Sequence, residues 1–152
     1  MVYKALNFDM DGTLADLYGQ RDWLKALENQ RIDPYLNAKP LVNMSTFARY
    51  LNTLQRMGYQ LNIVSWNSRG ASYEYAMAVK EAKLEWLKRH LPSVKWDNVY
   101  VVTFGTPKHS LCKGILFDDD YGNCFEWMDS NAGDAYHPDD IMIILKELMA
   151  IY

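Results

Sequence analysis

The sequence predicts an α/β fold: a Rossmann-like three-layer sandwich around a mostly parallel central sheet. Three observations carry this expectation. Short apolar runs alternate with longer segments of helical periodicity, the pattern of strand–helix–strand crossovers. The chain has 152 residues, 49% of them hydrophobic, enough for one domain with one core. Acidic and polar residues cluster just after the apolar runs, where an open α/β sheet exposes its reactive groups.

The elements follow in order. Residues 2–8 form an apolar run that reads as a buried first strand, and it leads into Asp9-Met10-Asp11-Gly12-Thr13-Leu14. Residues 45–57 carry Phe47, Tyr50, Leu51 and Leu54 at helical spacing, and Gly58 stops them. Residues 59–64 are the second strand, followed by Ser65-Trp66-Asn67-Ser68-Arg69. Residues 72–91 form a long helix with Met77, Leu84, Leu87 and Leu91 expected on its apolar side, closed by Pro92. Residues 98–103 are the third strand, and residues 114–117 the fourth, ending in Asp118-Asp119-Asp120. The last helix starts at Pro138, where Asp139 and Asp140 suit a positive helix start, and its apolar face is Ile141, Ile144, Leu145 and Leu148. Helices should cover both faces of the sheet, and each crossover should be right-handed.

Residues 15–43 are left over. They hold a helical piece at 20–31 and the stiff Pro34 and Pro40, and they are too long for a simple connection and too short for a second domain. The expected organisation is one domain over residues 1–152, with 15–43 as a small helical lid or cap insertion.

Composition excludes several classes. No apolar stretch approaches the roughly 20 residues of a membrane span, and the first residues lack the pattern of a signal peptide, so a cytoplasmic protein is expected. Cys112 and Cys124 are too few and wrongly spaced for a metal knuckle and read as reduced thiols. A net charge of −3 argues against an extended nucleic-acid surface. It leaves room for a small anionic substrate, because a bound metal inverts the sign of a carboxylate site. His90, His109 and His137 show no ligand spacing.

Two carboxylates, Asp9 and Asp11, thus emerge at a strand end before a Gly-containing turn. A carboxylate nucleophile, a second carboxylate and Mg²⁺ are enough to begin phosphoryl-transfer chemistry. An EF-hand reading fails because Gly12 is fourth rather than sixth and no Glu stands at the twelfth position. Lys108, ten positions before Asp118, competes with Lys113 for a cationic role; Lys113 sits too near the strand start to reach back. Asp120 reads as a solvated turn residue. Asn67 and Arg69 read equally as substrate contacts or loop caps, and Tyr18, Trp23 and Tyr35 as lid packing or pocket lining.

The ordered set Asp9 with Asp11, Ser65, Lys108, and Asp118 with Asp119 resembles the four motifs of the haloacid dehalogenase-like (HAD) superfamily of phosphatases. The likeness spans the chain apart from the leftover segment, and DMDGTLADL is similar to the 5'-nucleotidase/deoxyribonucleotidase-like branch. This resemblance implies strand order 3-2-1-4, with a fifth strand near residues 133–136. It implies Asp9 as nucleophile, forming an aspartyl-phosphate, and Asp11 as general acid and then base. It gives Mg²⁺ the Asp9 carboxylate, the Asp11 carbonyl and Asp118, with Asp119 close by. Ser65, Trp66, Asn67 and Lys108 would bind phosphate or substrate, with Lys108 offsetting negative charge.

The implied activity is hydrolysis of a small phosphomonoester, a nucleotide among the candidates. A crevice without a full cap can admit a large substrate or be covered by a partner subunit, as in a homo-oligomer. Three rivals differ in class. A dehalogenase usually lacks the second Asp. A phosphorylation-switched receiver needs an Asp after the third strand, where Thr103-Phe104-Gly105 stands. A phosphate-binding signalling or scaffold domain without turnover would keep the motifs but not the chemistry.

Overall fold

Alternating crossovers produce a five-stranded parallel sheet in a computed structural model that describes residues 3–151. Its strands are β1 (Ala5–Phe8), β4 (Gln60–Trp66), β5 (Asn98–Val102), β6 (Ile115–Phe117) and β7 (Ala135–Tyr136), in spatial order β5-β4-β1-β6-β7. This is the expected order, with the fifth strand beside the fourth. All four residues of β1 are buried, as befits a strand with neighbours on both edges. The first strand is shorter than the expected 2–8: Tyr3 and Lys4 precede it as irregular chain, and Val2 lies outside the described residues. The second strand runs two residues further than its apolar pattern, so Ser65 and Trp66 belong to the strand rather than to the loop after it.

The two faces of the sheet differ. On one, Leu6, Phe8, Leu61 and Ile63 pack with α3 (Met44–Arg56), α4 (Tyr73–His90) and α6 (Ile141–Met149). Phe8 sits at the centre, stacked on Phe117 at 5.0 Å and edge-on to Phe47 at 5.3 Å. On the other, Leu116 packs with Trp127 of α5 (Tyr121–Asp129) and with Ala132.

That second face also carries a polar ladder. Asn7, Asn62 and Asn98 lie opposite one another on β1, β4 and β5. The Asn98 amide donates to Asn62 Oδ1 at 3.0 Å, and the Asn62 amide to Asn7 Oδ1 at 2.9 Å. The Asn7 amide ends the chain on the carbonyls of Lys113 and Ile115. A one-residue slip would turn these side chains to the opposite face and leave them unpaired, so the ladder helps pin the register of the parallel strands.

The apolar face expected of the long helix needs correction. The buried side of α4 is Tyr75, Val79, Ala82, Lys83, Trp86 and Leu87, whereas Met77 and Leu84 are 48% and 40% exposed. The reading by apolar type missed that a lysine and two large amphipathic rings take the inner stripe. Helix α5 carried no clear signal because it buries only Cys124 and Trp127 and exposes Tyr121, Phe125 and Met128. Asp120 caps it, accepting the Asn123 N–H. At the C-terminal end, Pro138–Asp140 form a 3-10 turn that feeds α6.

Segment 15–43 opens and closes with a short antiparallel pair, β2 (Ala15–Asp16) on β3 (Lys39–Pro40). Between them lie α1 (Trp23–Glu28), shorter than the helical piece expected at 20–31, and α2 (Asp33–Asn37). Helices this short do not stand alone in water. They are held by tertiary contacts: Leu17 and Tyr35 pack with Tyr75, Val79 and Ala82 of α4. The Tyr75 hydroxyl donates to the Arg31 carbonyl at 2.7 Å and the Trp86 indole N–H to that of Ala38 at 2.8 Å. Among the described residues no helix is long and apolar enough to cross a membrane.

Candidate active site

The C-terminal ends of β1, β4 and β6 converge on one cavity of about 390 Å³. At the end of β1 the chain turns tightly: the Met10 carbonyl accepts the N–H groups of Thr13, Leu14 and Ala15. Gly12 makes the turn at φ 78°, a left-handed conformation that side chains disfavour. A Cβ there would also run into the Asp119 carboxylate and the Tyr18 ring. The turn thus requires glycine twice over and brings Asp9, Asp11 and Thr13 to the sheet end.

Thr13 ties two acids together. Its hydroxyl donates to Asp9 Oδ2 at 3.1 Å and accepts the Asp119 N–H at 3.2 Å. Asp118 is 1% exposed. Its Oδ1 accepts the Asp120 N–H, and its Oδ2 accepts from Lys108 Nζ at 2.7 Å and from the Asn123 amide at 3.2 Å. Lys108 comes from the 3-10 turn Lys108–Ser110 and is likewise buried. Its Nζ also donates to Asp9 Oδ1 at 2.9 Å, so one ammonium bridges the carboxylates that follow β1 and β6.

Asp9, Asp118 and Asp119 each offer a carboxylate oxygen within 4.8 Å of the others. One ammonium against three carboxylates leaves an excess of negative charge in a poorly hydrated place. Burial and the nearby Asp9 carboxylate push Asp119 up to about 8 and Asp118 up to about 6, with Lys108 opposing the second shift. Burial works to lower Lys108, but Asp9 and Asp118 overcome it and hold the ammonium above its ordinary range. An all-oxygen donor set with surplus negative charge suits a hard divalent cation such as Mg²⁺. The Asp11 carboxylate stands outside this trio, which leaves its main-chain carbonyl as the group the resemblance offers to an ion.

The remaining expected residues take different places. Ser65 is 1% exposed and its hydroxyl accepts from Lys83 Nζ at 2.6 Å; it lies beneath the cavity rather than on its wall. Trp66 lines the cavity, with its indole N–H on the Thr106 carbonyl at 2.7 Å. Asn67 also lines it, yet its amide donates to the Ala76 carbonyl and its Oδ1 accepts the Ser68 N–H. Asn67 therefore joins β4 to α4. Asp120 and Arg69 reach the wall as well, and none of the histidines does.

Lys83 escaped sequence reading altogether. It is 1% exposed on the inner stripe of α4, and its Nζ lies 2.9 Å from Asp11 Oδ2. The signal was there: Tyr75, Val79, Lys83 and Trp86 share one helical face. Burial, with Asp9 adding to it, raises the Asp11 carboxyl above the usual range despite the opposing Lys83 charge.

The far wall is apolar. Leu17, Tyr18, Trp23, Leu24 and Leu27 contribute from segment 15–43, Trp66 from the last position of β4, and Phe104 from the loop after β5. Tyr18 meets Trp23 edge-on at 4.9 Å, and Trp66 meets Phe104 at 4.8 Å. Arg69 lies over Phe104 at 5.7 Å. The thiols of Cys112 and Cys124 are pushed by burial up to about 12 and about 11, so neither offers a thiolate at neutral pH.

No protein-family model matches the chain, and no curated protein resembles it in sequence. A solved structure is similar in fold: D,D-heptose 1,7-bisphosphate phosphatase from Burkholderia thailandensis, with a TM-score of 0.57 over 97% of this chain and 99% of its own. The two are 13% identical. That likeness shows a shared Rossmann-like α/β fold over nearly the whole chain and lends no support to the 5'-nucleotidase branch.

Proposed function

We propose that this protein is a Mg²⁺-dependent phosphomonoester hydrolase working through an aspartyl-phosphate. The observation that carries this reading is the buried Lys108 bridge between Asp9 and Asp118, beside Asp119, in the lining of a cavity at the strand ends of an α/β fold. The solved structure with this fold is named a phosphatase, which agrees with the reading.

Asp9 attacks phosphorus, forming an Asp9 O–P bond as the P–O bond to the leaving alcohol breaks. Asp11 gives its proton to the departing oxygen, and burial, which raises its carboxyl above the usual range, favours the protonated form this step needs. Water then attacks the phosphoryl group, Asp11 takes the water's proton, and the Asp9 O–P bond breaks to release phosphate. Lys108 lowers the repulsion between Asp9 and the incoming dianion. Asp9, Asp118, Asp119 and the Asp11 carbonyl would hold Mg²⁺, which supplies charge neutralisation at the phosphoryl oxygens.

Segment 15–43 acts as the lid, and its apolar wall selects the leaving group. A cavity of this volume is at the small end for ligand sites and suits a small phosphorylated molecule. The aromatic pairs would stack on a flat ring, so nucleoside monophosphates stay among the substrates to test. We read the protein as cytoplasmic.

The test is a phosphomonoester panel, deoxynucleoside monophosphates and sugar phosphates included, run with Mg²⁺ and with chelator. Turnover that needs the metal and disappears in Asp9→Asn is expected. No turnover of any member, or full activity in Asp9→Asn, would sink the proposal. Preference for sugar phosphates would remove the nucleotidase reading alone.

A further inference from the structure

We infer that Lys83 is a positioning residue that holds Asp11 in place for proton transfer to the leaving group. The inference rests on the hydrolase reading above and on a division of labour between two buried lysines. An ammonium has three protons. Lys83 spends all three inside the protein: on Asp11 Oδ2 at 2.9 Å, Ser65 Oγ at 2.6 Å and the Trp66 carbonyl at 2.8 Å. It does not line the cavity and has no donor left for a phosphate. Lys108 spends two, on Asp9 and Asp118, and does line the cavity, so it keeps one for substrate.

Asp11 needs such an anchor. It stands on the turn after β1 and on the cavity wall, and among the described residues no other side chain hydrogen-bonds its carboxylate. Lys83 takes Oδ2 and leaves Oδ1 as the oxygen that can face a leaving group. Its own place is over-determined. Its stem is fixed in the inner stripe of α4, the Trp66 carbonyl and Ser65 grip it from β4, and the Tyr35 ring lies 5.2 Å from Nζ. Tyr35 belongs to segment 15–43, so the lid shields this ion pair from water. A buried ion pair contributes little net stability, because desolvation offsets the attraction. What it supplies is a fixed geometry, and a general acid displaced by an ångström loses much of its effect.

Ser65 changes meaning in this light. Its hydroxyl is held below the wall as the second point of the Lys83 clamp, and the groups that reach the cavity here are Trp66, at the end of β4, and then Asn67, Ser68 and Arg69.

The experiment compares Lys83→Met, close in shape but without charge, on two substrates in Mg²⁺. Glycerol 1-phosphate has a poor alkoxide leaving group that needs the proton; 4-nitrophenyl phosphate has a good one that does not. The ratio kcat/KM reports the step in which the leaving group departs. We expect a fall of about 10²-fold for the alkyl ester and under about 5-fold for the aryl ester, with KM little changed. Asp11→Asn should show the same discrimination, and the double variant should lose no more than either single one on the alkyl ester. Equal losses on both substrates, or additive losses in the double variant, would overturn the inference. A crystal structure of Lys83→Met reads the same claim without activity: Asp11 should leave its observed rotamer, and an unmoved Asp11 counts against us. Absence of wild-type turnover across the whole phosphomonoester panel would defeat the hydrolase reading, while the crystal structure still decides the anchor.

Discussion

Lys108 and Asp9 are 99 positions apart in the chain, and their charged atoms are 2.9 Å apart in the fold. The same ammonium reaches Asp118 at 2.7 Å, so it is the cation that lets two buried carboxylates sit side by side. Removing one partner of a buried pair leaves an uncompensated charge. Lys108→Met should therefore destabilise the metal-free protein by about 3–5 kcal/mol. With saturating Mg²⁺ the loss should be smaller, because the ion takes over the neutralising role. Urea melts with and without chelator measure both; equal losses in the two conditions would argue against a cation site at these acids.

Magnesium should raise the melting temperature, and more so as pH rises. Asp118 at about 6 and Asp119 at about 8 stand above their ordinary value of 3.8. The folded, metal-free protein then binds more protons than the unfolded chain between about pH 4 and 8. The stability linked to these protons is present at low pH and is lost as pH rises through 6 and then 8. In chelator the melting temperature should fall across that window. Binding of Mg²⁺ displaces the protons, so its stabilising increment should grow from pH 5.5 to pH 8.5. At a hundredfold excess over Kd the increment is about 2.7 kcal/mol, or roughly 5–10 °C for a domain of this size. An increment that is flat in pH would contradict the charge excess at the site.

The asparagine ladder makes a prediction about the fold alone. Asn62→Leu keeps the volume but strands the Asn7 carbonyl oxygen and the Asn98 amide. Leaving buried polar groups unmet costs about 1–3 kcal/mol each, less where water reaches the group, as it can at half-buried Asn98. A loss of roughly 2–4 kcal/mol in chemical denaturation is expected. A neutral change would mean that the ladder does not help hold the register.

The ladder also illustrates what sequence could and could not reveal. Parallel strands with near-continuous apolar runs announce themselves, and so do Asp9, Lys108 and Asp118, which follow strand ends or punctuated turns. Asn7 and Asn62 sit inside such runs as apparent interruptions, and only three-dimensional register joins them to Asn98. Lys83 was hidden for a related reason: a charged residue on a helix is expected to face solvent, and its partners Asp11 and Ser65 are 72 and 18 positions away. Ser65 was legible as a strand-end polar residue, but not its burial under the Lys83 clamp. Helix α5 buries too few residues to leave a period. The small elements of segment 15–43 depend on packing against α4, which no local pattern encodes.

Gly12 joins the backbone argument to the chemistry. At φ 78° an alanine is strained, by roughly 1–2 kcal/mol. The added Cβ would also press on the Asp119 carboxylate and the Tyr18 ring, and a packed turn cannot yield without moving one of them. Asp119 is held through its N–H on Thr13, whose hydroxyl also holds Asp9, so a shift there reaches the nucleophile. Gly12→Ala should therefore lower kcat by more than its stability loss explains, with a rightward shift in the Mg²⁺ concentration needed for half-maximal activity. Gly58→Ala is the control: it also has a positive φ, at 100°, but nothing lies within 4 Å of its added Cβ and it is far from the cavity. It should lose stability with kcat and metal dependence intact. If both variants lose only stability, the tight approach of Gly12 to Asp119 has no part in arranging the acids.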